Sequence, residues 1–514
     1  MHGYRAERPP ERFNMARYCL ETGGARPADK TGLIVIKDAD NPGANETWSF
    51  GELEDAVLRI AAGLKADGLT PGDRLVIRLE NTSYYALLFF GAIAAGLVPM
   101  PASSALSADE VSYFLKDSGA RAIALAHGLA IGSIPEGVRV YEPGDVAALK
   151  KFATRIDYAP TLADDPAFLV YTSGTTATPK GVLHAQRAVW GRRPMYEGWY
   201  GIRQDDRVLH AGAFNWTYTL GTGLSDPWAN GATALVYTGR KDPALWPGLM
   251  AAHKVTIFAA VPTLYRQILK YCDLESGFPP TLRHGLTAGE TLPEDVARSW
   301  HERTGTTLYE ALGMSEMSTF ISSSPSVPPK PGAIGKPQAG REVVILPAGG
   351  GTGPLPAGES GLIAIHRSDP GLMIGYWRRP DEEAEVLRGD WFCGGDLGVM
   401  DEDGYITHLG RNDDLMNAQG YRVSPLEVEQ VLGEHPDVAE VAVTEIPVAE
   451  NVSVIGAFVV LQEGAEADRQ ALHALAEARL AAYKTPREYI FMDHLPRTPN
   501  GKVKRADLRQ AFHG

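Results

Sequence analysis

Between Tyr171 and Val182 the chain reads YTSGTTATPKGV, a run of hydroxyl side chains with glycines at Gly174 and Gly181 and a lysine at Lys180. Such a loop can turn backbone N–H groups and the hydroxyls of Thr172, Ser173, Thr175 and Thr176 onto phosphate oxygens, while Lys180 supplies positive charge. It is not a Walker loop, because GxxxxGK[ST] is absent, and composition alone leaves a polar surface turn as an equal reading. His184, just after this loop, and His210, at an expected strand end, are read as satisfied structural histidines, and neither is nominated as an acid or base. The glycine-rich run at 349–353 has no following helix and no Lys-Ser/Thr pair, so a hairpin loop is expected there.

As an ordered string, YTSGTTATPKGV resembles the phosphate-loop signature of the adenylate-forming superfamily, which includes acyl-CoA synthetases, aryl-acid and amino-acid adenylation domains and luciferases. Further segments resemble that family in the order it requires. The string Ala288-Gly289-Glu290-Thr291 is similar to the segment that packs on adenine. YEALGMSE at 309–316 resembles the aromatic-to-Glu motif, which implies Glu310, Ala311 and Leu312 beside the nucleotide, Ser315 on the α-phosphate and Glu316 as magnesium ligand. WFCGGD at 391–396 implies that Asp396 holds the ribose hydroxyls. GRNDD at 410–414 implies Arg411 as a second ribose contact and Asp413 as the pivot of a hinge, with Gly420, Tyr421 and Arg422 lining a CoA tunnel. PRTPNGKVKR at 496–505 resembles the terminal motif that presents the adenylation lysine, here Lys502.

The resemblance implies ATP, Mg²⁺ and coenzyme A, and an AMP-forming carboxylic acid:CoA ligase that passes through an enzyme-bound acyl-adenylate. A carboxylate is a poor electrophile, and its activation gathers negative charge on phosphate oxygens, which cations and aimed donors stabilise. A stand-alone adenylase that loads a carrier-protein phosphopantetheine is the alternative, and a nucleotide-binding protein without ligase activity is a third reading. Two positions depart from the family pattern: Ala177 replaces a loop glycine, and Asn417 stands where many relatives carry lysine. Phe214, Asn215, Trp216 and Thr319 are aligned with the wall of the acyl pocket, and Gly313 with a position where acetate-type enzymes place a blocking Trp. A glycine there implies room for more than acetate, and the uncharged Asn215 disfavours amino acids. An aromatic or compact medium-sized acid is therefore expected, with Asn215 facing a ring hydroxyl. A homodimer and a lysine acetyltransferase acting on Lys502 complete the expected partners.

These segments need a scaffold of alternating strands and helices. Strands are expected at 33–37, 74–79, 121–125, 167–171, 207–210, 232–237, 256–260 and 306–309, with helical periodicity between most of them, as at 50–66 and 293–304. This is an α/β pattern: a large N-terminal domain (1–410) of βα-layered sheets plus a small β-rich subdomain, a hinge at 411–414, and a small α+β C-terminal lid domain (415–514). The uncharged stretch 84–101 is read as a buried helix to about Ala95, a turn at Gly96 and a strand near Val98 rather than a membrane span.

The 514 residues carry 49 Lys and Arg against 63 Asp and Glu, a net charge of −14, which excludes nucleic acid and an anionic membrane as main partners. Cys19, Cys272 and Cys393 are too far apart for a zinc site or a disulfide framework, and the first twenty residues hold no apolar run, so a cytoplasmic location is expected. Since ATP and CoA are polyanions, their cations must be local. From Arg479 to Arg509 eight basic residues face three acids, and that segment is the expected source.

Overall fold

The computed structural model describes residues 7–172, 179–274, 278–414, 416–418, 421–449, 452–497 and 503–512. Ser173, Gly174, Thr175, Thr176, Ala177, Gly420 and Lys502 lie outside the described residues, as do the side chains of Asp413, Asn417, Tyr421 and Arg422. The chain packs as two compact units, Met1–Val343 with Ile365–Phe392 and Gly404–Ile406, and Val344–Ala364 with Cys393–Asp403 and Thr407–Gly514.

The first unit is built on a nine-stranded sheet ordered Lys336–Pro337, Ser318–Ser322, Thr307–Met314, His284–Ala288, Ile257–Ala260, Arg207–His210, Thr233–Tyr237, Thr31–Ile36, Glu46–Ser49. Its middle is parallel, and its outer strands, Glu46–Ser49 on one side and Ser318–Ser322 with Lys336–Pro337 on the other, are antiparallel. A second sheet, Val98–Pro101, Arg74–Arg78, Ala122–Leu125, Arg139–Tyr141, is wholly parallel. Helix Phe50–Ala66 follows directly on the edge strand Glu46–Ser49 of the first sheet. Ser49 and Glu52 close a capping box at its start, and its apolar face enters the core through Leu53, Val57, Ile60 and Leu64. Ser83–Ala94 is buried all round, which explains its lack of charge; at about 1.5 Å per residue it spans roughly 18 Å, well short of a bilayer core. Gly96 then turns the chain at φ +79° into the strand Val98–Pro101. Among the described residues no helix is long and apolar enough to cross a membrane.

One expected strand is longer than its local pattern. The strand at 306–309 runs as Thr307–Met314, so most of YEALGMSE is extended, and it turns back antiparallel as Ser318–Ser322. The hydroxyl-rich loop also has a setting that its sequence did not announce. It joins Pro166–Thr172 to the antiparallel strand Lys180–Ala185, with Thr172 paired to Lys180, rather than leading into a helix.

In the second unit, Val438–Ala449 pairs antiparallel with Val452–Leu461, and Glu488–Phe491 adds parallel to the latter. Helices Pro425–Gly433 and Arg469–Arg479 bury Val428, Leu432, Leu472 and Ala476 with Val443, Ile455 and Ala457. Leu508, on the short helix Arg505–Ala511, joins a separate cluster with Ala442 and Phe458. The strands Val343–Leu346, Ser360–His366, Trp391–Met400 and Ile406–Arg411 share one sheet, which groups segments preceding 411 with the second unit.

Candidate functional site

The turn that carries Ser315 and Glu316 is held from several directions. A bulge falls between Leu312 and Gly313, where the two strands run so close that a Cβ on Gly313 would lie 2.8 Å from the Ser318 carbonyl oxygen. A side chain at that position would force the facing strand to shift. Ser318 sits in the left-handed region at φ +80°, a strained conformation for a residue with a Cβ. Its hydroxyl accepts a hydrogen bond from Arg192 Nη1. That guanidinium is itself fixed by Asp226 (Nε to Oδ1 2.8 Å, Nη2 to Oδ2 2.6 Å), and Tyr200 donates to Asp226 Oδ2 at 2.6 Å. Burial opposes the charge on Arg192, but Asp226 and Tyr200 more than offset it and hold the guanidinium above its usual range. Tyr200 ends one π-helical segment, Tyr196–Tyr200, and its hydroxyl lies 2.9 Å from Thr222 of a second, Gly221–Ser225.

His184 reaches the same turn. Its Nε2 is 2.8 Å from the Ser315 carbonyl oxygen, which can only accept, so Nε2 carries the hydrogen. Nδ1 is buried without a partner, and desolvation pushes the ring down to about 4. At His210 the Gly212 N–H donates to Nδ1 at 2.9 Å, leaving Nε2–H buried without a partner, and desolvation pushes that ring down to about 3. The expectation of satisfied histidines therefore holds for one nitrogen of each ring and fails for the other, because each ring is enclosed where its neighbours bond on one edge only.

Glu316 is brought toward Lys180 by a residue the sequence reading missed. Tyr376, in the two-residue strand Gly375–Tyr376 paired with Val182 and Leu183, donates its hydroxyl to Glu316 Oε1 at 2.7 Å. Lys180 Nζ stands 5.6 Å from the centre of the same tyrosine ring and forms an ion pair with Glu382. Arg379 is 3.6 Å from Glu382 and donates to Asp117 at 3.0 Å, and Asp117 accepts the Tyr171 hydroxyl at 2.6 Å.

The proposed adenine segments are adjacent in the sheet, with Thr287 paired to Glu310 and Ala288 to Ala311. Gly289 follows at φ +93°, and Thr263 donates to Glu290 at 2.8 Å. The Glu310 carboxylate accepts from Leu292 N at 2.9 Å, yet burial still pushes it up to about 7. Of the proposed acyl wall, Phe214 is buried in the core against Tyr85, while Asn215 and Trp216 are half-buried. Thr319 is buried, with Oγ1 unpartnered.

In the second unit Asp396 lies 3.0 Å from His408 Nε2 and 3.7 Å from Arg411 Nη1, so the structure pairs the two proposed ribose contacts and adds a histidine that the sequence reading passed over. Gly395, at φ +89°, leaves room for Arg411, whose Nη2 would be 2.9 Å from a Cβ at that position. Four of the eight basic residues in the segment from Arg479 to Arg509 are paired with acids from outside it. Arg479 meets Glu434 at 2.7 Å, Arg497 meets Glu440 at 2.8 Å, Arg505 meets Glu429 at 2.6 Å, and Lys484 pairs with Glu427. The neutralising acids come from elsewhere in the sequence, where a local count of charges cannot see them.

The model of the AMP-binding enzyme family matches residues 20–377, and that of the AMP-binding enzyme C-terminal domain matches 427–502. Benzoate–CoA ligase of Thauera aromatica is 33% identical over 98% of this chain and 97% of that enzyme. 3-Hydroxybenzoate–CoA ligase of Aromatoleum sp. (strain CIB) is 31% identical over 92% of this chain and 94% of that enzyme. Among solved structures, an anthranilate CoA ligase in complex with anthranoyl-AMP superposes with a TM-score of 0.87 at 26% identity, covering 98% of each chain.

Proposed function

The chain belongs to the AMP-binding enzyme family, and from that premise we propose that it activates an aromatic or compact medium-sized carboxylic acid as the acyl-adenylate and transfers it to coenzyme A. It is an AMP-forming acid–thiol ligase of the acyl-CoA synthetase type. The observation that carries the reading is the string Glu316–Tyr376–Lys180, which joins the turn assigned to the α-phosphate and metal with the hairpin assigned to the β- and γ-phosphates. The relatives named above are CoA ligases, which disfavours a carrier protein as acceptor.

Among the described residues no three His, Cys, Asp or Glu side chains gather into an all-protein metal cage. Magnesium suits one or two carboxylates completed by phosphate oxygens and water, and the half-buried Glu316 fits that need. When bound, the ion neutralises charge on the phosphate oxygens. Tyr376 fixes the rotamer of Glu316 by donating to one oxygen, which leaves the other for the ion. Ser315 is held by its own carbonyl through His184, so its hydroxyl is free to serve the α-phosphate. Lys180 and the hydroxyls of Thr172, Ser173, Thr175 and Thr176, with Gly174, are assigned to the pyrophosphate end. Gly289 to Thr291 and Glu310 to Leu312 are assigned to adenine, and Asp396 and Arg411 to the ribose. Lys502 is assigned to the acid and α-phosphate during adenylation, Asp413 to the hinge, and Gly420, Tyr421 and Arg422 to CoA.

Acid-dependent exchange of pyrophosphate into ATP, run on a panel of benzoates, medium-chain acids and acetate, tests the first step, and AMP release with CoA against a phosphopantetheinyl carrier protein tests the second. Exchange is expected with benzoates or medium-chain acids, and turnover with CoA. Exchange with none of the panel, or turnover with the carrier protein alone, overturns the reading.

A further inference from the structure

Ser315 and Ser318 border a cavity of about 40 Å³. Its other walls are largely apolar, with Phe89, Phe168, Leu220 and Met317 among them. Arg192 also lines it, but that guanidinium is committed to Asp226, Tyr200 and Ser318. His184 lines it too, stacked on Phe168 with ring centres 4.5 Å apart, and is only 4% exposed. Its Nε2–H is used by the Ser315 carbonyl, so Nδ1 presents a lone pair, and among the described residues that line the cavity it is the buried polar atom left without a partner.

The volume narrows the choice of occupant. A water needs about 10 to 15 Å³ measured this way, whereas a cavity that takes benzene is on the order of 150 Å³. The space therefore admits one small group and excludes a whole ring. The cavity also touches Thr217 and Ser318, the immediate neighbours of Trp216 and Thr319, so it adjoins the wall assigned to the acid. We propose that it is a subsite for a single hydrogen-bond-donating substituent of the acid, a hydroxyl or an amino group, accepted by His184 Nδ1. This rests on the proposed acid:CoA ligase reading and makes His184 a specificity-determining residue. The ring remains neutral at ordinary pH because burial disfavours its charged form, so Nδ1 stays an acceptor.

The test compares kcat/KM for benzoate, 3-hydroxybenzoate, 4-hydroxybenzoate and 2-aminobenzoate in the full-length protein and in His184→Phe. The wild type is expected to favour at least one donor-bearing acid over benzoate by roughly 3- to 10-fold, the effect of one hydrogen bond. His184→Phe should bring that ratio to about one, since loss of the Ser315 contact weighs on all four acids alike and cancels. Ala188→Val, at another lining residue, narrows the cavity without touching the imidazole and should lower the same ratio, which keeps the test informative if His184→Phe fails to fold. A ratio unmoved in both variants means that the cavity holds only water and overturns the proposal, as does a ratio that responds to Asn215→Ala and not to His184→Phe. Inactivity of the wild type on every acid, benzoate included, would instead remove the benzoate reading on which the proposal depends.

Discussion

Arg192 meets Asp226 at 2.6 Å in the first unit, and Arg479 meets Glu434 at 2.7 Å in the second. The distances are nearly equal, but the side chains of the first pair are 9% and 0% exposed and those of the second 52% and 44%. Removing one partner of a buried pair strands an uncompensated charge and costs about 3 to 5 kcal/mol, whereas an exposed pair contributes about 0 to 1 kcal/mol. Contact geometry thus says little about what an ion pair does; its surroundings decide. The Arg192 pair holds the guanidinium that bonds the Ser318 hydroxyl, while the Arg479 pair and its neighbours neutralise part of a segment that is cationic in the sequence.

The sharpest contrast is with a lysine assigned to chemistry rather than to structure. Lys502→Ala is expected to lower acid-dependent pyrophosphate exchange by roughly 100- to 1,000-fold while sparing thioester formation from a supplied acyl-adenylate; equal loss of both halves would place Lys502 with the structural cations. Asp226→Asn should cost about 3 to 5 kcal/mol of stability in a denaturant titration, and a loss below about 1 kcal/mol would erase the distinction between the two pairs. Glu310 tests burial without a partner charge. Its carboxyl keeps its proton to about pH 7 when folded and loses it near 4.5 when unfolded. Between those values the native state binds more protons, so stability falls as pH rises, by roughly 1 kcal/mol per pH unit, and Glu310→Gln should flatten that slope. Tyr376→Phe should raise the KM for MgATP by roughly 5-fold, about 1 kcal/mol for one hydrogen bond to a half-buried carboxylate; a purely thermal effect with KM unchanged would move Tyr376 out of the site. Arg479→Gln should change stability by less than about 1 kcal/mol, and that small effect should fade in high salt.

Local pattern carried much of the scaffold. Helix 50–66 was legible from its helical periodicity, and the Ser83–Ala94 helix from the uncharged run that ends at Gly96. The pairing of Thr172 with Lys180, the return of the chain at Ser318, and the Tyr376 contact 60 residues from Glu316 were not legible. Each depends on which strands meet, and periodicity within a strand does not encode its partner. Arg192 and Asp226 were hidden for a related reason. They are 34 residues apart, flanked by π-helical turns that interrupt the usual helical spacing, and nothing in GRRPM or SDPW signals a shared partner. Ser315, Glu316 and Lys180, in contrast, stood out as residue types in order, and the fold places the latter two around one tyrosine ring.

The ion pair of Lys180 with Glu382 has a thermodynamic consequence for turnover. A carboxylate tethered beside the lysine is a competitor at fixed effective concentration for any anion that Lys180 binds. If Lys180 is the phosphate ligand, as proposed, a triphosphate would have to compete with Glu382 for it, while a nucleoside monophosphate, lacking the β- and γ-groups, would leave the internal pair in place. Affinity for the nucleotide would be lowered by that competition, with the penalty on the substrate end of the cycle. The spent nucleotide would then leave without having to break a contact to Lys180.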